Sequence, residues 1–390
     1  TILGAHALSN STDVDSVVVI GQGAIENGVT TADADGTVAI GRYALLPLTS
    51  GRRNTAIGYE SLKSNVIGDN CTAVGYQSLQ TYNSDSDGDG NNTALGYAAG
   101  SAVSTGKNNV LIGSQAGDGF DTESDVIAIG YGAAGGTLNG ANRIIAIGSQ
   151  AMTGAATGGG TIAIGYEALK LITSGGQNTV VGYQSMAAAD GGEGSNTAVG
   201  YQALLNLDGD GADENTCIGN IAGNALTTGT NNTLIGSEAA ASAVNANGQI
   251  AIGKSCVGQG DNTATIGAAE ITDVYMAQDS GATVHCAAVT EGSSLEIKKN
   301  ISEIESPLDK ITKLRGIEFD YKETDEHSIG MVAEEVNEIF PELVSKDEDG
   351  KVTAMSYSRM TAVLLEAVKE LSQEVKELKM NNIYNNKERD

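Results

Sequence analysis

Few residues in this chain are equipped for chemistry by type and spacing. Asp85, Asp87 and Asp89, followed by Gly90, repeat the first half of a calcium loop, where alternate carboxylates turn onto one cation. The twelfth position of such a loop needs a bidentate Glu and is Gly96 here, so the segment reads as a solvated acidic turn. His6, His285 and His327 are too scattered for a metal site. Cys71, Cys217, Cys256 and Cys286 lack metal-ligand spacing; Cys71 and Cys217 fall in apparent strands, and all four read as small core residues. No metal and no cofactor are expected. No carboxylate pair stands out from the general acidity, so the residues do not support an external hydrolase site.

The other chemically distinctive residues are aromatic. Tyr59, Tyr76, Tyr97, Tyr131, Tyr166, Tyr183 and Tyr201 each follow a glycine of a recurring phrase. They are expected to form a broken column of stacked rings, the alternative being a platform for sugar rings.

The phrase that positions them dictates the architecture. It is seen as Asn54-Thr-Ala-Ile-Gly-Tyr-Glu-Ser-Leu62 and as Asn196-Thr-Ala-Val-Gly-Tyr-Gln-Ala-Leu204, and its glycine recurs 16 times from Gly4 to Gly267, mostly 17 or 18 residues apart. Each copy is a short β-prone run closed by Gly, with a small residue (Ala, Ser or Cys) three positions later through Cys256. The intervening segments, such as Asp208-Gly-Asp-Gly-Ala-Asp213, are turn-formers. The pattern predicts a mainly β protein, a β-solenoid or β-roll with one coil of about 17 residues per repeat over residues 1–267. The Ile/Val column is expected inside, with small residues where coils pack closest. Sixteen rungs at ordinary strand spacing would extend roughly 75 Å.

Composition sets the limits of this unit. Of 52 glycines, only Gly316, Gly330 and Gly350 follow residue 292. With no Trp, three Phe and 4% aromatics, a single coil has a thin core, so association of three chains is expected to supply the missing burial. The net charge is −27, and residues 1–292 hold 8 basic against 27 acidic side chains, which makes nucleic acid and anionic membrane poor partners. No apolar run is long enough to span a membrane, so no membrane insertion is expected. The chain opens inside a repeat at Thr1-Ile-Leu-Gly, as a piece of a longer protein would.

Residues 268–292 read as a β neck or linker, two short strands around Asp279-Ser-Gly281. Beyond Ser293 the pattern is α+β. An amphipathic helix is predicted from Ser328 to Phe340, stopped by Pro341, and a last helix from about 358 to 380. The last helix carries Leu364, Val368, Leu371, Val375 and Leu378 at alternating spacings of four and three, a coiled-coil trimerisation seam.

An ordered set of segments then carries a resemblance: Ser293-Ser-Leu-Glu-Ile-Lys-Lys-Asn-Ile301, Leu314-Arg-Gly-Ile-Glu-Phe-Asp-Tyr321, Ile329-Gly-Met-Val-Ala-Glu-Glu-Val336, Phe340-Pro-Glu-Leu-Val344, Tyr357-Ser-Arg-Met360 and Leu365-Glu-Ala-Val-Lys-Glu-Leu371. Residues 293–390 resemble the endosialidase-type intramolecular chaperone that closes phage tail fibres and tailspikes. The repeats are similar to fibre shafts and to the heads of trimeric adhesins. The resemblance implies a domain that trimerises the fibre and then cuts the chain at its own first residue. Carried onto this sequence, it makes Ser293 the nucleophile, Lys298 the general base and Gly292–Ser293 the scissile bond. A Ser needs a neighbouring base to become a nucleophile, and a Lys serves as that base only when burial favours its neutral form. The chain departs from the family pattern at Ser294, where Asp stands, and at Glu296, where Arg stands; active and silent sites both remain open.

The resulting expectation is a homotrimeric tail-fibre segment of a virion, assembled in the host cytoplasm. It would act at the host cell surface, with a host glycan or outer-membrane receptor as partner and, through the missing part upstream of Thr1, other virion tail proteins. Two alternatives stay open: a bacterial trimeric adhesin, and a tailspike glycan hydrolase whose catalytic domain lies upstream.

Overall fold

The computed structural model describes residues 1–11, 14–31, 34–86, 90–272, 274, 285–286, 292–322, 325–347 and 349–387. Two compact units divide the chain, Thr1–Ala282 and Thr283–Asp390. The two neck strands expected around Asp279-Ser-Gly281 lie outside the described residues, as do Asp87 and Asp89 of the acidic turn.

The first unit is a parallel β-solenoid. Its strands run from β1 (Ile2–Leu3) to β16 (Ala264–Ile266), with β2 to β16 three residues long, and they pair in chain order within one sheet. Pairing is in register, so equivalent residues stack: Ile162 lies beside Ile145 and Thr179, Ala163 beside Ala146 and Val180. Each strand closes on a repeat glycine for two physical reasons. Gly165 and Gly182 sit at φ of +138° and +145°, where a side chain is strained. A Cβ on Gly182 would also lie 2.1 Å from the Gly200 carbonyl oxygen of the next coil.

The core differs from the sequence expectation in one respect. Strands alternate in side-chain direction, and the middle residue is the one that points inward. Ala56, Ala73, Ala146 and Ala163 are fully buried, while the residue before each glycine is half-buried, as Ile164 is, or exposed, as Ile57 and Leu95 are. The Ile/Val column therefore lines the outside of the coil. Interior volume comes instead from the residue four positions after the glycine, such as Leu62, Leu79, Leu169 and Leu204, all fully buried. These leucines adopt left-handed φ near +50°, a strain of about 1–2 kcal/mol each that the packing must offset. Where a strand carries a large middle residue the corner shrinks: a Cβ on Gly100 or Gly117 would fall 2.5 or 2.7 Å from the Leu111 side chain. Core volume is thus shared between the two positions. The small residues three after the glycine pack as expected, from Ala24 to Cys256, at 0% exposure.

A polar ladder runs inside the coils. Asn215 Oδ1 accepts from Asn232 N at 3.1 Å, and Asn215 Nδ2 donates to the Gly229 carbonyl at 2.8 Å. Asn54, Asn92, Asn109, Asn178, Asn196 and Asn232 repeat the device, each holding a main-chain N–H and a carbonyl of the next loop. Loop backbone that could not form sheet bonds is satisfied in this way.

The second unit is α+β. Its elements are α1 (Pro307–Ile311), the hairpin β17 (Ile317–Asp320) and β18 (His327–Gly330), α2 (Ala333–Ile339), the hairpin β19 (Val344–Lys346) and β20 (Val352–Met355), and α3 (Tyr357–Lys387). The helix expected from Ser328 is thus shorter. Ser328–Gly330 pair with β17, and Gly330 lies so close to Tyr357 that a Cβ would fall 2.5 Å from its hydroxyl. The terminal helix is longer than 358–380 and has two apolar faces. Met360, Val363 and Ala367 are buried, Met360 and Val363 in a core with Val336, Phe340 and Leu343, while the seam residues are exposed. Among the described residues no helix is long and apolar enough to cross a membrane.

Two substitutions test the coil. Asn215→Ala orphans two buried main-chain groups, Asn232 N–H and the Gly229 carbonyl, and is expected to cost about 3 kcal/mol. Gly182→Ala should be at least as damaging, because neighbouring backbone must move. Both are read from the unfolding temperature, and an unchanged melt would mean that the ladder carries no stability.

Candidate functional site

The sequence placed its candidate chemistry at the head of the second unit, and local geometry brings two of those residues together. Ser294 caps a 3-10 turn over Leu295–Ile297, its hydroxyl accepting from Glu296 N at 3.2 Å. Lys298 ends the turn, its N–H donating to the Leu295 carbonyl. One tight turn spans the interval between residues 293 and 298, so Lys298 Nζ reaches Ser293 Oγ at 2.7 Å. That is proton-transfer distance. Ser is among the stronger N-cap residues, so Ser294 holds the turn without a charged side chain. Glu296 is exposed and contributes its main-chain N–H to the cap.

Gly292 lines an open cleft of about 410 Å³ with Leu343, Val344, Ser345 and Ser356, and with Glu342 and Arg359 as its charged walls. Ser293 and Lys298 are exposed in the single chain, and so are Leu295 at 75% and Ile297 at 69%. In the same unit, Arg315 grips Glu335 with Nε and a terminal nitrogen, at 3.1 and 2.7 Å, which holds that carboxyl below the usual range. His327 meets Asp320 across β17 and β18 at 2.9 Å.

Residues 293–345 match the family described as the chaperone of endosialidase. The chain is similar to the long tail fiber protein Gp37 of Enterobacteria phage K3, 38% identical over 94 residues, which covers 22% of this chain and 8% of that fibre. The Gp37 of Enterobacteria phage T2 matches at the same identity over 7% of its length, and that of Salmonella phage S16 at 28% over 140 residues, covering 30% of this chain and 19% of that fibre. The matches therefore span less than a fifth of these relatives. No solved structure matches the chain.

The remaining candidates divide. Tyr59, Tyr76 and Tyr97 stack at 5.2 and 5.4 Å, and Tyr166, Tyr183 and Tyr201 at 5.2 and 5.3 Å, as the repeat implied. Asp85 pairs with Lys107 at 3.1 Å. Cys71, Cys217 and Cys256 are buried, Cys71 one residue before its strand rather than in it, and burial pushes the Cys71 and Cys217 thiols up to about 11 and about 12. Cys286 departs from the core reading: it follows the last coil and is exposed. Sequence reasoning missed the acidic trio Asp190, Glu193 and Asp208, because its members come from different loops.

A native thiol titration is expected to modify Cys286 alone, and a denatured one all four cysteines. More than one fast native thiol would mean that the coils open.

Proposed function

We propose that this chain is a structural segment of a phage tail fibre, in which three copies of the solenoid associate and the C-terminal unit drives that association. The observation that carries the reading is an in-register solenoid ending in a chaperone-of-endosialidase segment that is similar to long tail fibres. Nothing in the comparisons favours an adhesin or a glycan hydrolase. Residues 1–267 would be shaft, 268–292 neck and 293–390 chaperone, working in the virion tail at the host surface, with a surface receptor and other tail proteins as partners.

The apolar surface supports a homotrimer. The outer column through Ile57, Leu95, Ile218, Ile252 and Ile266 faces solvent in one chain, as do Leu364, Val368, Leu371, Val375 and Leu378 on α3. Contiguous apolar surface of this extent calls for a partner, and a stack of identical in-register columns best fits further copies of itself.

Autocleavage follows from the same assembly. Ser293 Oγ would attack the Gly292 carbonyl carbon while its proton passes to Lys298. The peptide nitrogen then leaves as the amine of Ser293, and water hydrolyses the resulting ester to free the Gly292 carboxylate. An exposed Lys is a poor base, so the reading requires neighbouring protomers to cover Lys298 together with Leu295 and Ile297.

Leu371→Asp with Val375→Asp places like charges in the seam and is expected to abolish SDS-resistant oligomers. Ile164→Asp should leave single coils folded yet block shaft association. Normal oligomer yield from both variants would sink the reading. Intact-mass analysis is expected to show a cut before Ser293 that Ser293→Ala prevents; uncut chains for both parent and variant would mean a silent dyad.

A further inference from the structure

The fibre role does not use an acidic cluster formed by two successive solenoid loops. One carboxylate oxygen each from Asp190, Glu193 and Asp208 lie within 4.8 Å of one another. Asp190 and Asp208 are exposed, whereas Glu193 is fully buried. Glu193 Oε2 accepts from Gly191 N at 3.0 Å, but its Oε1 is buried with no hydrogen-bond partner.

The chain contains its own control. Glu123 occupies the corresponding place four coils earlier: its main-chain carbonyl accepts from Asn109 Nδ2, as that of Glu193 accepts from Asn178 Nδ2. Glu123 has both carboxylate oxygens satisfied by main chain, Oε2 by Asp121 N and Thr122 N at 3.2 Å and Oε1 by Gly140 N at 2.6 Å. At Glu193 no donor reaches Oε1, and two further carboxylates converge on the residue instead. A buried, half-satisfied carboxylate beside two like charges is costly unless a positive charge joins them.

We propose that Asp190, Glu193 and Asp208 bind one divalent hard cation, calcium by donor set and size, which pins the two loops together. An all-oxygen, all-carboxylate set selects a hard cation over zinc or copper. Calcium takes 6–8 oxygens at about 2.3–2.6 Å, so opposed ligands span about 4.8 Å; magnesium is smaller and demands a tight octahedron. The exposed side, between Asp190 and Asp208, leaves room for water to complete the shell. The site stands independently of the fibre reading and is separate from the turn at Asp85.

The test uses the full chain, stripped with chelator and held in about 0.15 M KCl to screen non-specific binding to the acidic surface. Calcium chloride is titrated calorimetrically, and unfolding is followed with and without calcium. About one saturable site per chain is expected, with a calcium-dependent rise in unfolding temperature. Glu193→Gln, which keeps the shape and removes the charge, should weaken binding at least tenfold and abolish that rise. Without metal it should be as stable as the parent or more so, an outcome that a purely structural Glu would not give. Asp208→Asn, at an exposed position that does not threaten folding, should weaken binding as well, and Glu123→Gln should not. Absence of a saturable site in the parent, or unchanged calcium affinity in Glu193→Gln and Asp208→Asn, overturns the proposal.

Discussion

Each coil of the solenoid lies so close to the next that the carbonyl of one repeat glycine fills the space a Cβ on the preceding glycine would need, 2.2 Å away at Gly165 and 2.1 Å at Gly182. That contact fixes the register of the sheet. With glycine stacked over glycine, every other position must stack over its equivalent, and the columns of Ala, Leu, Asn and Tyr follow from it. A slip of one residue would turn the buried alanines outward and break the internal asparagine ladder. Stability is therefore distributed along the coils, and the left-handed leucine corners persist because each is held by its neighbours on both sides.

The same constraint makes the coil incomplete. Three-residue strands have one inward position, and through the fifteenth strand close packing limits it to Ala, Val, Cys or an occasional Leu compensated by glycine. The Ile, Val and Leu side chains before each glycine are left half-buried or exposed in a continuous column. A register that stacks identical apolar residues on one face creates a surface suited to copies of itself, and α3 repeats the condition with a buried face at Met360 and Val363 and an unpartnered one at Val368 and Leu378. Each unit thus carries an apolar face of its own without a partner in the single chain, one physical condition expressed in two kinds of secondary structure.

Much of this was legible in the sequence. The glycine spacing gave the coil, the small residue three positions later gave the tightest packing, and tyrosines after the glycine gave the ring stacks. The sense of the strand was not legible, because Ile-Ala-Ile reads equally well with either face inward; the deciding signal was the leucine four residues past the glycine, which already fills the interior. The asparagine that opens seven of the phrases was visible but mute, since its role depends on carbonyls from the next loop. Ser328–Gly330 looked helical because its apolar residues continue the spacing of α2, and pairing with β17 overrode that periodicity. The Ser293–Lys298 approach was implied by family resemblance, and the turn capped by Ser294 supplies its geometry. Glu193 could not be picked out from the acidity around it, because its singularity lies in a missing donor.

The measurement that bears most directly on this account is the native mass of the recombinant chain. The account predicts three copies of the 39.7 kDa chain, or of its two pieces where the bond before Ser293 has been cut, with no stable single chain. A folded monomer at that mass, with the outer isoleucine column left in water, would contradict it.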